Sequence, residues 1–188
     1  MAVKPLTRSN LHPNHLTSLG LALGIGAALL YATGIGFLAH LGAGLFVVAV
    51  WMDHVDGEYA RLTGKTSKFG HYYDHVSAFT GYVALFIGVG FGMQETFGAL
   101  AVPMGVIAGL AIAVTFTVRV VVEERWGKAM VTQENFFGFE IEDILYIIAP
   151  VTWIGQLKWL LIAAATMAPL FMVYVIWQTI RGRNATSF

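Results

Sequence analysis

Six apolar runs divide this chain, and a run of roughly 20 apolar residues is what an α-helix needs to cross a bilayer. The fifth run is short, and the six occupy residues 16–39, 41–62, 70–92, 100–122, 141–154 and 159–180. Of the 188 residues, 57% are hydrophobic and 12% are charged, as is typical of integral membrane proteins. The sequence therefore predicts an all-α membrane protein with six transmembrane helices, unless the fifth run is re-entrant.

The basic residues indicate how these helices are oriented. Ten of the 11 Lys and Arg residues fall on one side of the layout or at its helix ends, and only Lys158 falls on the other. The side rich in Lys and Arg is normally cytoplasmic. We therefore expect both termini to be cytoplasmic, in a bacterial or archaeal inner membrane. We also expect one domain over residues 1–188, with 1–15 as a surface segment, and no nucleic-acid partner.

Charged residues are concentrated where the second run ends and the third begins. Asp53 and Asp56 are three apart, so they share one face of a helix. Gly57 and Ala60 continue that face with almost no side chain, which leaves room for a bulky ligand beside two carboxylates. Charges at membrane depth are costly and therefore mark candidate functional sites. The alternative is that these acids are paired with the basic residues that follow, beginning with Arg61.

Seven residues in this region have a fixed spacing, which reads D-x2-D-G-x2-A-R-x8-G-x3-D and is formed by Asp53, Asp56, Gly57, Ala60, Arg61, Gly70 and Asp74. This spacing resembles the signature of the CDP-alcohol phosphotransferase (CDP-alcohol phosphatidyltransferase) family. The signature ends with one more aspartate, at position 78, where this chain has alanine. Residues 13–17, P-N-H-L-T, also resemble the amino-terminal P-N-x-L-T of the family.

The resemblance implies a reaction, a cofactor and a set of site residues. The reaction transfers a phospho-alcohol group from a CDP-alcohol, such as CDP-diacylglycerol, to an acceptor hydroxyl and releases CMP. The resemblance also implies a homodimer with a cytoplasmic cavity. Mg²⁺ or Mn²⁺, which both favour oxygen ligands, would be held by Asp53, Asp56 and Asp74. Contacts to the CDP-alcohol would come from Asp56, Gly57, Ala60, Arg61, Thr66, Ser67, Lys68 and Gly70. Residues 66–68 are equally consistent with an ordinary polar, basic loop.

Position 78 is where the chain departs from the family pattern. The resemblance assigns the last aspartate to the general base and to a metal ligand, and Ala78 can serve as neither. The chain is then an engineered variant, a natural member with another base or none, or a noncatalytic relative that still binds CDP-alcohols. His71 and His75 are candidate substitutes, because histidine can act as a base near neutral pH. The simpler interpretation is that both are interfacial polar residues.

Two clusters are candidates for binding the acceptor. Arg119, Arg125 and Lys128 suit a phosphorylated acceptor. A competing set of acids and aromatics suits a cationic head group and consists of Glu134, Glu140, Glu142 and Asp143 with Phe136, Phe137 and Phe139. Asp143 is notable because residues 144–151 carry no charge after it. Either cluster is also consistent with a solvated loop and helix start.

Two other classes of function fit parts of the sequence. A noncatalytic membrane protein that binds CDP-alcohols and metal would explain Ala78. A small ion-coupled transporter would explain acids within a membrane protein. Transporter sites usually lie near the bilayer midplane, whereas these acids lie at the cytoplasmic ends of the predicted helices.

Overall fold

The computed structural model describes residues 11–126 and 145–185. Within those ranges the chain is helical and contains no strand. The helices are α1 (Pro13–Ala32), α2 (Gly36–Thr63), α3 (Lys68–Gly92), α4 (Gln94–Phe97), α5 (Ala101–Trp126), α6 (Ile148–Trp153) and α7 (Leu157–Ala185), with 3-10 turns at Gly98–Leu100 and 145–147. Five segments are long and apolar enough to span a bilayer, namely α1, α2, α3, α7 and the stretch from α4 through α5. The predicted all-α membrane fold is thereby confirmed.

The boundary between the first two helices differs from the prediction. The first run was expected to continue to residue 39, but α1 ends at Ala32 and α2 begins at Gly36. Gly34, between them, has φ of +69°, a left-handed conformation that glycine adopts without steric cost. Hydrophobicity alone does not reveal this turn, because the residues around it are as apolar as the helices.

The fifth predicted run is described only from residue 145 onward. The Tyr146 ring lies 6.3 Å from that of His54, and Trp153 Nε1 donates a hydrogen bond to the His40 carbonyl at 3.1 Å. The segment therefore runs antiparallel to α2. Its ten described residues, 145–154, are too few to cross a bilayer, and residues 141–144 lie outside the described ranges. The sixth crossing and the orientation of the termini thus stay predictions.

Contacts between the helices define the two ends of the bundle. At the end that we call the signature end, α1 begins, α2 ends and α3 begins. There Tyr59 donates a hydrogen bond to the Leu11 carbonyl at 3.0 Å, and the Ser18 and Tyr73 hydroxyls are 2.8 Å apart. At the opposite end, the Tyr31 hydroxyl lies 2.8 Å from that of Thr152. These contacts place the whole signature at one end of the molecule.

Small residues allow the helices to approach closely away from the signature end. A Cβ at Gly88 would overlap the Ala28 carbonyl, and one at Gly92 would overlap the Tyr31 carbonyl. Such contacts are how membrane helices pack in the absence of a hydrophobic driving force between them. α1, α2 and α3 therefore form a fixed frame for the site, while α7 packs mainly on α5.

Candidate active site at the signature end

The signature folds as two helices joined by a short turn. α2 ends at Thr63 and is followed by Gly64, whose φ of +66° is left-handed, and α3 begins at Lys68. Ser67 caps α3, because its Oγ accepts a hydrogen bond from the Gly70 amide at 2.9 Å. The turn reverses the chain, so that the aspartates of α2 and Asp74 of α3 come to the same end of the bundle.

A cavity of about 30 Å³ opens between α1, α2 and α3 beside these aspartates. Its lining includes Asp53 and Asp56 from α2, Ser77 and Ala78 from α3, and Thr17 from α1. A cavity needs roughly 10–15 Å³ to hold one water. This space therefore suits an ion or a water. A nucleotide does not fit within this volume. Position 78, singled out from the sequence, faces the same space as the first two aspartates.

Asp56 is the most buried of the three signature aspartates, with 3% of its surface exposed. Thr17 and the backbone of Gly57 hydrogen bond to its carboxylate, yet its Oδ2 atom is buried with no hydrogen-bond partner. The carboxylate of Asp74, half-buried on α3, lies near enough to act on it electrostatically. A buried carboxylate oxygen with no partner, next to a second carboxylate, is an unfavourable arrangement unless a cation compensates for it.

The donor set at this position fits a hard divalent cation by its chemistry. Mg²⁺ and Mn²⁺ take carboxylate oxygens together with substrate and water oxygens, and the unpartnered Asp56 Oδ2 is such an oxygen. In the described part of the chain, no three His, Asp or Glu side chains lie close enough together to hold a metal ion. The ligand set of Asp53, Asp56 and Asp74 therefore stays a prediction, and it is part of the function proposed below.

Apart from Asp56, the residues predicted to contact the CDP-alcohol lie outside the cavity lining. A Cβ added to Gly57 would be 3.4 Å from Arg61 Nη1, so the exposed guanidinium of Arg61 lies over the bare backbone of Gly57. Ala60, which precedes Arg61 in the chain, is half-buried. Thr66 and Lys68 are exposed. Arg61, Thr66 and Lys68 are thus exposed at the signature end, and the contacts of this set with a CDP-alcohol stay predictions.

Gly70 provides the close contact between α3 and α1. A Cβ at this position would be 3.0 Å from Ser67 Oγ and 3.1 Å from Asn14 Oδ1. A larger residue would therefore press on both the cap of α3 and the start of α1. Asn14 belongs to the P-N-H-L-T segment, so the two stretches that resemble the family meet here.

The two histidines considered as substitute bases face α5. His71 Nε2 contacts Glu124 Oε1, and both side chains are about half exposed. His75 Nε2 lies 3.1 Å from the Thr117 hydroxyl, which donates its own proton to the Ala113 carbonyl at 2.8 Å. His75 Nε2 is therefore the donor in that contact. Neither histidine is part of the cavity lining that includes Ala78.

The acceptor candidates are only partly described. Arg119 is half-buried on α5 and Arg125 is exposed near the end of that helix. Lys128 and Asp143 lie outside the described residues, as do the other acids and aromatics of the competing cluster. The structure therefore favours neither acceptor class.

Sequence reasoning missed two residues that line the cavity. Thr17 ends the P-N-H-L-T segment, and Ser77 precedes position 78. Ser77 lies on the Asp56 side of α3 instead of facing lipid, and its Oγ is buried with no hydrogen-bond partner. The only available signal was a hydroxyl residue beside the missing aspartate, which is weak without the positions of α1 and α2.

The chain belongs to the CDP-alcohol phosphatidyltransferase family, whose model matches residues 10–180. The resemblance read from the signature is thereby confirmed, and the protein is an all-helical integral membrane member of that family. No curated protein matches the chain.

Solved structures of the phosphatidylinositol phosphate synthase PgsA1 of Mycobacterium tuberculosis share the fold. The apo form superposes with a TM-score of 0.61 at 22% identity, covering 94% of each chain. The form with CDP-DAG bound gives 0.59 at 24% identity, covering 94% of this chain and 92% of that one. The complex with manganese and citrate gives 0.58 at 25% identity, covering 94% and 87%.

Proposed function

We propose that this protein transfers the phosphatidyl group of a CDP-alcohol such as CDP-diacylglycerol to an acceptor hydroxyl, with release of CMP, in phospholipid synthesis. The observation that carries the proposal is the position of Asp53, Asp56 and Ala78 around one cavity, with an unpartnered carboxylate oxygen, in a member of this family. The PgsA1 structures that carry CDP-DAG or manganese support the choice of donor and of a divalent cation.

The proposed reaction is a substitution at the phosphorus on the alcohol side of the pyrophosphate. The acceptor oxygen forms a bond to that phosphorus, and the bond from phosphorus to the bridging oxygen breaks. CMP departs with the electron pair, and the acceptor proton passes to a base or to water. A divalent cation held by Asp53, Asp56 and Asp74 would supply positive charge to polarise the phosphoryl group and neutralise the leaving group.

The donor site is proposed to lie on the outer side of these aspartates. Arg61 binds a phosphate through its planar fork. Gly57 and Ala60 let the nucleotide lie against the backbone of α2. The amino terminus of α3, where the positive end of the helix dipole favours anions, carries Thr66, Ser67, Lys68 and Gly70. Each of these groups thus favours a diphosphate at the mouth of the cavity.

Ala78 is proposed to make this chain slow. The alanine reaches the cavity but has no group that can take a proton from the acceptor. A positioned base typically contributes about 10²- to 10⁴-fold in rate. His71, held by Glu124, is the first substitute base to mutate if turnover is fast.

The acceptor, orientation and assembly complete the proposal. Arg119, Arg125 and Lys128 would bind a phosphorylated acceptor, and Asp143 would take part if the acceptor were cationic. The site faces the cytoplasm of a bacterial or archaeal cell, since the basic residues gather on its side. The chain forms one domain and acts as a homodimer, as the resemblance implies. Light scattering of the protein in detergent tests the dimer.

A second candidate function is noncatalytic binding of CDP-alcohol and metal. Ala78 favours it, because the donor residues do not depend on position 78. If neither this chain nor its Ala78→Asp form releases CMP with any acceptor, this function replaces the first.

Calorimetry with CDP-diacylglycerol, with and without Mg²⁺ or Mn²⁺, tests the proposed site. Asp56→Asn keeps the side-chain shape but removes its charge, so we expect it to lower the affinity for both metal and donor. Glu58→Gln is the matched control, since it neutralises a carboxylate on the same helix outside the cavity lining. Equal donor affinity in the parent and Asp56→Asn, with metal present, would contradict the proposal.

A further inference from the structure

Ser77 behaves differently from other helical hydroxyl residues in this protein. Serine and threonine within helices often hydrogen bond to the carbonyl four residues earlier. Thr80, Thr115, Thr117 and Thr152 all do so, at 2.7 to 2.8 Å. The Ser77 hydroxyl has no such bond and no other partner among residues 11–126 and 145–185, although only 5% of the residue is exposed. Burial without a partner is unfavourable for a hydroxyl, so this position needs an explanation.

The surroundings of Ser77 indicate what such a partner would be. Ser77 lines the cavity opposite Asp53 and Asp56, and the second buried oxygen there without a partner is Asp56 Oδ2. Next to it, Ala78 contributes only a methyl group. A water would satisfy both oxygens by donating to the carboxylate and accepting the Ser77 proton, but it would leave the charges of Asp53 and Asp56 uncompensated. A cation would take a lone pair from each oxygen. A divalent cation does so directly, since hard cations take neutral and charged oxygens together.

We propose that the Ser77 hydroxyl is an oxygen ligand of the divalent cation, a neutral donor at the place where this chain lacks a carboxylate at position 78. The inference rests on the proposed function, because it concerns the same cation. Ser77 is not part of the signature spacing, so the family pattern does not assign it this role.

Binding of Mn²⁺ to the whole protein in detergent tests this assignment without relying on activity. Free Mn²⁺ is followed by its electron paramagnetic resonance signal, for the parent and for Ser77→Ala, Ser77→Thr, Asp56→Asn and Thr115→Val. We expect Ser77→Ala to bind Mn²⁺ about tenfold more weakly, in the range seen when a metal-site hydrogen-bonding group is removed. Ser77→Thr keeps the hydroxyl and should stay within about twofold of the parent.

The control is Thr115→Val, which removes a buried hydroxyl on α5 outside the cavity lining. It should leave Mn²⁺ affinity unchanged.

Thermal unfolding without metal gives a second readout. Because Ser77→Ala removes a hydroxyl that has no partner in the metal-free protein, its midpoint should equal or exceed that of the parent.

Each other result overturns the inference. If Asp56→Asn weakens Mn²⁺ binding and Ser77→Ala does not, the cation site stands but Ser77 is not a ligand. If Ser77→Ala instead lowers the metal-free midpoint with unchanged Mn²⁺ affinity, the hydroxyl holds a structural water. If the parent and Asp56→Asn bind Mn²⁺ equally, the proposed metal site fails and Ser77 fails with it.

Discussion

Glycines at two levels of α3 differ in how closely neighbouring helices approach them. Away from the signature end, Gly88 and Gly92 bring α3 against the backbone of α1, so that a Cβ at either would overlap a carbonyl. Nearer the signature end, no atom lies within 4 Å of a Cβ added at Gly81, which lines the cavity. The same residue type therefore closes one part of the bundle and leaves room in the other. Glycine content alone does not distinguish packing from a ligand site.

The two regions also differ in whether their buried polar groups have hydrogen-bond partners. At the opposite end, Tyr31 donates to Thr152, whose own proton goes to the Ile148 carbonyl at 2.7 Å. At the signature end, Asp56 and Ser77 each present a buried oxygen with no partner. Buried polar groups with hydrogen-bond partners are the usual condition in a stable fold. Buried oxygens without partners are what the proposed cation and substrate would satisfy.

The largest effect is expected at position 78, where an aspartate would add the carboxylate that the cavity lacks in this chain. Ala78→Asp should raise the rate of CMP release from CDP-diacylglycerol by about 10²- to 10⁴-fold, since it restores a positioned base. Donor affinity should change far less, because Arg61 and Gly57 do not depend on that position. A single-turnover assay with Mg²⁺ in detergent measures both quantities. A parent as fast as the variant would refute the role of position 78.

The packed region should respond strongly to one methyl group. Gly88→Ala forces a Cβ onto the Ala28 backbone, which cannot move aside as a side chain can, and we expect a loss of about 1–3 kcal/mol in stability. Gly81→Ala adds the same group where there is space and serves as the control. Thermal unfolding in detergent should show a lower midpoint for Gly88→Ala only. Equal midpoints would mean that the two regions are packed alike.

An intermediate effect is expected for the phosphate contact. Arg61→Lys keeps the charge but loses the paired donors, so CDP-diacylglycerol should bind about tenfold more weakly. Arg181→Lys, on α7 beside Trp177, makes the same change away from the site. Calorimetry compares the two variants. If Arg61→Lys binds the donor as tightly as the parent does, Arg61 has no phosphate role.

The smallest effect is expected on the face of α3 that meets α5. Glu124→Gln weakens the contact with His71, but an exposed pair of this kind contributes only about 0–1 kcal/mol. Donor affinity should therefore stay within about twofold of the parent. A loss of tenfold or more would place the α3–α5 face in the donor site.

The all-α membrane fold and the meeting of the signature residues at one end of the bundle could be predicted from the sequence for a clear physical reason. Long apolar runs form helices in a bilayer, because a helix satisfies its own backbone hydrogen bonds. Asp53 and Asp56 lie near the end of one such run and Asp74 near the start of the next. The early end of α1 escaped prediction because Gly34 lies within apolar sequence. The fifth run remained uncertain because its apolar stretch is too short to indicate whether it spans.

Ser77 and Thr17 could not be predicted as site residues from their own sequence positions. Their importance comes from where three helices meet, and helix crossing depends on side-chain packing over the whole interface. The roles of His71 and His75 were open for the same reason. Their partners on α5, Glu124 and Thr117, are more than 40 residues away in the sequence.

The proposed metal site is tested most directly by the position of manganese in crystals of the protein grown with Mn²⁺ and CDP-diacylglycerol. Anomalous diffraction at the manganese edge locates the ion independently of the protein density. We predict a peak bonded to Asp56 and neighbouring signature aspartates, on the cavity side that includes Ser77. A peak at the acids of α5, or no peak near Asp56 in crystals that contain the nucleotide, would contradict it.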